Sequence, residues 1–194
     1  MHCETTKQPL KSCKQMKSDK EISKFMSLVL RHQPEKINVV LDENGWTDVA
    51  IFLSQMNTKG FSVDMKKLEE IISTNEKQRF ALNDTKDRIR ANQGHSVEID
   101  LGLSPTEPPQ ILYHGTSQNA ISSIKEQGIT KQNRQHVHLS AQIETAINVG
   151  SRHGKVVVLT IKALEMHQNG EIFYISDNGV WLADIIETKY IDFK

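Results

Sequence analysis

The stretch RFALNDTKDRIRANQGHS, residues 79–96, decides how the first half of the chain folds. Two short extended runs, RFALN and RIRANQ, flank a polar turn at residues 84–87, and this pattern predicts a β-hairpin. The second run is crowded with groups that can hold an anion such as phosphate. They are Arg88, Arg90, Gln93, His95 and Ser96, gathered around Gly94.

A helix is predicted well upstream of this hairpin, over the apolar positions that recur from Ile22 to Val29. Its N-terminus is indicated by an S-x-x-E capping box, and Pro34 should end it. Arg31 and His32 therefore fall in the last turn, where cations also suit the helix dipole without any further role.

Two more helices should follow before the hairpin. Thr47 or Asp48 is the candidate cap of the first, and Ser62 is the candidate cap of the second. Three helices and then a hairpin predict a winged-helix-like unit. After a proline-containing stretch the pattern changes to short strands mixed with helices, so the predicted fold class is α+β with a mixed or antiparallel second sheet. The predicted organisation is a flexible tail over residues 1–17, a winged-helix-like unit over 18–100, a linker over 101–110 and a second unit over 111–194.

Composition narrows the function classes. The chain has 194 residues, with 24 basic and 24 acidic side chains, and this balance argues against a protein that coats nucleic acid non-specifically. Its cysteines, Cys3 and Cys13, lie outside any Cys/His cluster, so no metal site is expected. The absence of a secretory signal or a long apolar run leads us to expect a cytoplasmic protein without a membrane partner. We expect a monomer.

Arginine is scarce in this sequence and is therefore informative. The arginines are Arg31, Arg79, Arg88, Arg90, Arg134 and Arg152. The pairs Arg31–His32 and Arg152–His153 join a planar cation to a group that can move a proton. If these pairs and Arg90 converge, they form a phosphate site between the two units, although structural ion pairs would explain the same residues.

The second unit carries two further histidine stretches. YHGTS places His114 on a strand, next to Gly115, where backbone can approach a ligand closely. HVHLS places His136 and His138 on one face of a strand that ends at Ser140. A metal pair is conceivable there, but no third ligand is evident. A structural role for each histidine is the alternative interpretation.

The motifs together resemble a known family. SKFMSLVLRH, RFAL, RIRANQGHS, YHGT, HVHLS, VGSRHGK and GVWL occur in the order seen in the RNA 2'-phosphotransferase family of the KptA type, and the resemblance covers about residues 18–194. It implies an N-terminal winged-helix lobe and a C-terminal lobe of the ADP-ribosyltransferase fold.

The resemblance also implies an NAD-dependent transferase whose partner is RNA bearing an internal 2'-phosphate, such as a tRNA splice junction. The 2'-phosphate would attack the nicotinamide-bearing ribose of NAD and expel nicotinamide. The neighbouring ribose hydroxyl would then attack phosphorus, which yields RNA with a 2'-hydroxyl and ADP-ribose 1'',2''-cyclic phosphate. NAD is thus expected as a co-substrate.

Site residues carried over from the resemblance fall into three groups. Catalytic roles are expected for Arg31, His32, Arg90 and Arg152, with Arg90 gripping the 2'-phosphate and His32 moving the proton. Binding of the 2'-phosphate or adjacent RNA is expected for Arg88, Gln93, His95 and Ser96. NAD contacts are expected for His114, Gly115, Thr116, His138 and Ser140. The place of the catalytic glutamate of many ADP-ribosyltransferases falls near Val180, and an anionic phosphate nucleophile makes such an acid dispensable.

Two other functions fit parts of the sequence. A nucleic-acid-binding regulator would use only the winged helix and would leave YHGT and SRHG without a role. An ADP-ribosyltransferase that modifies a protein or a nucleic-acid phosphate end in one step would use the second lobe equally well.

Overall fold

A computed structural model describes residues 17–193 of the chain. The predicted tail therefore lies almost entirely outside the described residues. The helices are α1 (Asp19–Arg31), α2 (Val49–Thr58), α3 (Met65–Ser73), α4 (Ile121–Gln127), α5 (Ile143–Gly150) and α6 (Ala163–Gln168). The strands are β1 (Thr47–Asp48), β2 (Phe80–Leu82), β3 (Arg88–Ala91), β4 (Leu112–Ser117), β5 (Ile129–Thr130), β6 (Val137–Leu139), β7 (Val156–Ile161), β8 (Phe173–Ile175), β9 (Trp181–Ala183), β10 (Ile185–Ile186) and β11 (Ile191–Asp192). Every pairing between these strands is antiparallel, which confirms the α+β class.

The caps of the first three helices are set by short polar side chains. Ser18 and Glu21 form the predicted capping box, in which each side chain accepts a hydrogen bond from the other residue's backbone N–H. Asp48 caps α2 by accepting from the backbone of Ile51. Asp64 caps α3, so the expectation for Ser62 was wrong by two positions, because the chain reaches helical geometry only after the extended run at Val63.

The predicted hairpin is present, and it gains a third strand. β2 and β3 pair in the register Ala81 opposite Arg90, and β1 pairs with the other edge of β3. Along β3, Ile89 and Ala91 are buried, so Arg88 and Arg90 project from the opposite face. The three helices and this small sheet enclose one apolar core: Ile22, Met26, Val29, Leu30, Ile37, Val39, Val49, Phe52, Met56, Val63, Leu68, Ile71, Phe80, Ile89 and Ala91.

A second core lies in the C-terminal half. The long pairing of β4 with β7 continues to β11, and a second sheet has the order β6-β9-β8. The two sheets meet where the backbones of Tyr113 and Ser140 exchange hydrogen bonds. This junction places the carbonyl of His138 beside the ring of His114. The core residues are Leu112, Ile124, Ile129, Val137, Leu139, Leu159, Ile161, Ala163, Met166, Phe173, Trp181, Ala183, Ile186, Tyr190 and Ile191.

Gly115 is required by helix packing. α5 lies against β4 so closely that a Cβ atom on Gly115 would sit 1.7 Å from the carbonyl oxygen of Ala146. Because that neighbour is backbone, it cannot move without displacing the helix. The missing side chain therefore faces α5.

We expect Gly115→Ala to lower the free energy of unfolding by about 3 kcal/mol, because an overpacked contact must displace a helix. Urea denaturation measures this change. Gly102→Ala is the matched control, since its added Cβ meets nothing within 4 Å and it carries only the strain of a positive φ. Equal losses in the two variants would show that the contact with α5 is not the reason for glycine.

No helix among residues 17–193 combines the length and apolar character needed to cross a membrane.

Candidate functional site

The end of α1 is held by the segment that follows the hairpin. The backbone N–H of Ser96 donates to the carbonyl of Arg31 at 2.9 Å, and the Ser96 hydroxyl is 2.9 Å from Nδ1 of His32. Gly94 has a φ of +86°, and a Cβ there would lie 3.5 Å from Nη1 of Arg31. The segment thus fixes the backbone at Arg31 and one nitrogen of the His32 ring.

Arg31 lies among other cations. Its Nη2 makes a long hydrogen bond, 3.5 Å, to the carbonyl of Arg79. Burial, and then the positive charges of Arg79 and Arg134, lower the pKa of Arg31 to about 10. None of the salt bridges among the described residues involves these three arginines. The half-buried arginines Arg31 and Arg79 and the exposed Arg134 thus have no carboxylate partner in the part of the chain that the structure describes, and such an arrangement suits an external anion.

Arg134 connects this group to the histidines of the C-terminal half. Its Nη1 lies 3.3 Å from Nδ1 of His138. Since guanidinium only donates, Nδ1 of His138 accepts and its proton is on Nε2. His114 donates from Nδ1 to the carbonyl of His138 at 3.1 Å, so its Nε2 is an acceptor. Burial and the charge of Arg134 lower the pKa of both rings, that of His138 to about 3, so both are neutral near pH 7.

The Nε2–H of His138 is a buried donor without a hydrogen-bond partner among the described residues. An unpaired buried donor costs free energy unless a ligand oxygen or ring nitrogen meets it. The positive charge of Arg31 also contributes to the lowered pKa of His138, which shows that this donor is near the arginine group. The arrangement therefore offers cations for an anion on one side and neutral donors and acceptors for a second molecule on the other.

His95 differs from its expected role in phosphate binding. Its side chain is only 1 % exposed, and both ring nitrogens are buried without a partner among the described residues. Burial, followed by the charges of Arg31, His32 and Arg90, lowers the pKa of His95 to about 3. A neutral imidazole beneath the surface can support the arginine group but does not present a charge to RNA.

These buried histidines should make the protein sensitive to acid. An unfolded histidine takes up a proton near its ordinary pKa of 6.5, but His95 and His138 do so only near 3 when folded. The contribution of these two histidines to the free energy of unfolding is therefore full above pH 6.5 and is lost as the pH falls toward 3. We expect a loss on the order of 2–3 kcal/mol for each of these histidines at about pH 4.5. The measurement is the free energy of unfolding of the wild type and of His95→Gln, by denaturant titration at a series of pH values. Carboxylates titrate in both proteins, so the difference between the two pH profiles isolates the contribution of His95. Equal slopes against pH would contradict this interpretation.

Three of the other arginines expected at the site or at the RNA make contacts of their own. Arg90 stacks 4.6 Å above the Trp46 ring and pairs with Asp177 at 2.8 Å. Arg88 is exposed and pairs with Asp42 at 2.9 Å. Arg152 is exposed in a 3-10 turn, Ser151–His153, that packs against β4. That Arg152 converges with Arg31 on one phosphate stays a prediction.

The remaining expected residues are near the site but use their polar groups locally. The Ser140 hydroxyl donates to the carbonyl of Gln142 and accepts from its N–H, which fixes the turn before α5. Thr116 lies opposite Val157 in the β4–β7 pairing. Gln93 is half-buried beside Gly94. Among residues 17–193 no group of three or more His, Cys, Asp or Glu side chains is arranged to hold a metal ion.

Sequence reasoning missed Arg79 and Arg134 as members of the site. Both lie just before a strand, Arg79 before β2 and Arg134 in the loop before β6. The available signal was the scarcity of arginine, together with the spacing of Arg134 four positions before His138. Neither residue stands in an Arg–His pair, which is the pattern that drew attention to Arg31 and Arg152.

Comparison with known proteins gives consistent results. Residues 17–185 match the model of a family described as "RNA 2'-phosphotransferase, Tpt1 / KptA family". A protein of Flavobacterium johnsoniae named "Probable RNA 2'-phosphotransferase" is 50% identical, over 90% of this chain and 96% of its own length. Proteins with the same name from Rhodopirellula baltica and Fusobacterium nucleatum are 50% and 46% identical, each over 92% of this chain, and are covered over 99% and 100% of their own lengths. The chain is therefore a member of the RNA 2'-phosphotransferase family, a family of transferases.

Proposed function

We propose that this protein is an NAD-dependent RNA 2'-phosphotransferase that acts on RNA with an internal 2'-phosphate, such as a tRNA splice junction. The products are RNA with a 2'-hydroxyl, nicotinamide and ADP-ribose 1'',2''-cyclic phosphate. The observation that carries this proposal is the group formed by Arg31, Arg79 and Arg134. Three cations without a carboxylate partner, beside neutral histidines, are suited to an anionic phosphate that meets a second substrate.

The arginine group has a different composition from the one expected from the sequence. We add Arg79 and Arg134 to Arg31 at the phosphate, because their positive charges lower the pKa of Arg31, and the roles expected for Arg90 and Arg152 stay predictions. Planar guanidiniums hold phosphate oxygens in pairs and stabilise the charge that develops when a phosphoryl group is transferred. His32 keeps its expected role: burial and the charges of Arg31 and Arg134 lower its pKa, so it is a neutral base at pH 7.

NAD supplies the electrophilic ribose carbon and the leaving nicotinamide. The residues that fit it are His114 and His138, whose Nε2 atoms are an acceptor and an unpaired donor. The missing side chain of Gly115 faces Ala146, so the contact with NAD expected for this residue would use its backbone. Arg134 lies beside His138 and its charge acts on Arg31, so we assign it to hold the phosphate while both substrates are bound.

The two halves of the chain then have distinct tasks. The half with three helices and a hairpin fits a winged-helix lobe that presents RNA through Arg31, His32 and Arg79. The C-terminal half fits an ADP-ribosyltransferase-like lobe that presents NAD. The domain limits that follow are residues 18–100 and 111–194, with the linker between them, and we propose that the enzyme acts as a monomer in the cytoplasm.

A direct assay tests this proposal. The protein is mixed with an oligonucleotide carrying one internal 2'-phosphate, with and without NAD. We expect the 2'-phosphate to be lost only with NAD and the cyclic phosphate of ADP-ribose to appear in equal amount. Unchanged RNA in both mixtures would overturn the proposal. A stable ADP-ribosyl adduct without the cyclic phosphate would show that the wild type stops after one step.

A further inference from the structure

The hairpin that joins β8 to β9 extends from the C-terminal half to the N-terminal half. At its tip, a carboxylate oxygen of Asp177 accepts a hydrogen bond from Nη2 of Arg90 at 2.8 Å. The next residue, Asn178, donates from its side-chain amide to the backbone carbonyl of Lys77 at 2.9 Å. Two adjacent side chains of one turn thus bind strand β3 and the turn before β2, both in the other half.

This turn is internally rigid. Ser176 is 4 % exposed, and its hydroxyl bonds both the Oδ1 atom of Asn178 and the backbone of Val180. The backbone N–H of Gly179, at a φ of +75°, donates to the carbonyl of Ser176. These short-range hydrogen bonds hold Asp177 and Asn178 in one arrangement. Their contacts therefore fix the bound segments of the N-terminal half relative to the hairpin of the C-terminal half.

Lys77, whose carbonyl Asn178 contacts, lies two positions before Arg79 in the chain. Between them, Gln78 has a φ of +40°, a conformation that a non-glycine residue rarely adopts. Two bonds of 2.7 Å hold it there, from its N–H to the carbonyl of Asn75 and from the Asn92 amide to its carbonyl. The hydrogen bond from Asn178 to the Lys77 carbonyl holds the residue before Gln78 in the same way. Asn178 therefore helps fix the backbone that carries Arg79.

The Asp177 contact fixes the strand beside that backbone. Only 14 % of the Arg90 side chain is exposed, and it lies between the ring of Trp46 and the Asp177 carboxylate. Arg90 sits opposite Ala81 in β2, the strand that begins directly after Arg79. Both contacts of the hairpin therefore converge on the short segment in front of β2.

We propose that Asp177 and Asn178 are positioning residues, which hold Arg79 in the N-terminal half at its working distance from Arg134 and His138 in the C-terminal half. This inference rests on the proposed function for the role of the arginine group. On the other side of the group a second contact joins the halves, from the N–H of Gln135, next to Arg134, to the carbonyl of His95. With both contacts made, the arginines from the two halves are fixed around one phosphate, and the hairpin acts on the reaction through Arg79.

The first test is kinetic. At saturating RNA and NAD, Asp177→Ala and Asn178→Ala should each slow formation of the cyclic phosphate about 10- to 100-fold, as expected when a catalytic group moves by a fraction of an ångström to one ångström. The KM for NAD should stay within about twofold, since the substituted side chains face the N-terminal half and neither His114 nor His138 is changed. Asp177→Glu should restore at least about a third of the wild-type rate, because it keeps the carboxylate.

The matched control is Glu69→Gln, which breaks an ion pair of similar length, 2.7 Å to Lys86, within the N-terminal half alone. Its rate should equal that of the wild type. Rates for Asp177→Ala and Asn178→Ala within about twofold of this control would overturn the proposal. Faster turnover or tighter RNA binding in Asp177→Ala would also overturn it, because Asp177 would then occupy the place of an RNA phosphate on Arg90.

The second test does not depend on activity. Nitroxide labels are placed at exposed positions of the two halves, Lys24→Cys in α1 and Glu144→Cys in α5, after Cys3 and Cys13 are replaced with serine. Double electron–electron resonance measures the distance between the two labels. The distance distribution should be wider when Asp177 and Asn178 are both replaced with alanine than in the labelled protein that keeps both residues. Identical distributions would overturn the positioning role. If instead the wild type fails to process 2'-phosphorylated RNA, the proposed function fails, whatever these distances show.

Discussion

Replacing Arg134 with alanine should reduce the rate of 2'-phosphate transfer by roughly 10²- to 10³-fold, the usual loss when one preorganised donor to a developing charge is removed. The positive charge of Arg134 lowers the pKa of Arg31, His32, His114 and His138. It therefore acts on residues from both halves of the site. The measurement is single-turnover formation of the cyclic phosphate from an oligonucleotide with one internal 2'-phosphate.

Two variants sharpen this prediction. Arg134→Lys keeps the charge but loses the planar pair of donors, so we expect it to recover only part of the rate. Arg152→Ala tests the other interpretation, because the sequence pointed to Arg152, which the structure leaves exposed on the turn beside β4. A larger loss for Arg152→Ala than for Arg134→Ala would contradict the arginine group as we have assigned it.

Replacing Arg31 with methionine should separate activity from stability. We expect transfer to fall about 10³-fold, with ADP-ribosylated RNA accumulating, because the second attack lacks a cation at phosphorus. The folded protein should be at least as stable as the wild type. Arg31 is a partly buried cation that repels Arg79 and Arg134, has no carboxylate partner and leaves its Nε unbonded. An apolar side chain of similar length removes that cost.

Denaturant unfolding checks the second half of this prediction. Arg88→Met is the matched comparison, since it removes an arginine that does have a carboxylate, Asp42 at 2.9 Å. That exposed pair should contribute no more than about 1 kcal/mol, so Arg88→Met should be neutral or slightly destabilising. Destabilisation of Arg31→Met by several kcal/mol would show that Arg31 serves the fold and would remove the argument that the site is prepared for an anion.

Much of the fold could be predicted from local patterns. The capping box at Ser18 acts through bonds within one turn, and the hairpin follows from two extended runs around a polar turn, so both are readable without tertiary information. The cap of α3 was placed wrongly because Ser62 and Asp64 both suit the position. The additional pairing of β1 with β3 joins residues about 40 positions apart, which no local pattern specifies.

The site was only partly predictable for the same reason. Arg31, His32 and Ser96 were identified, and the structure joins them by direct hydrogen bonds. Ser96, however, orients His32. The role expected for Arg90 at the phosphate stays a prediction; the alternation of β3 directs it toward Trp46, and the hairpin of the C-terminal half supplies its carboxylate. Burial of His95 likewise depends on how α1 and the later segment pack together.

The sequence by itself determined the family, the helix caps, the hairpin and the presence of groups for phosphate chemistry, because each of these depends on the order of residues along short segments. Only the tertiary structure decided the neighbours of each arginine: it brings Arg31, at the end of α1, to Arg79, in front of β2, and it places Arg134 beside His138. The physical reason is that the direction of a long charged side chain is set by the surfaces that bury it. Those surfaces are formed by residues distant in the chain.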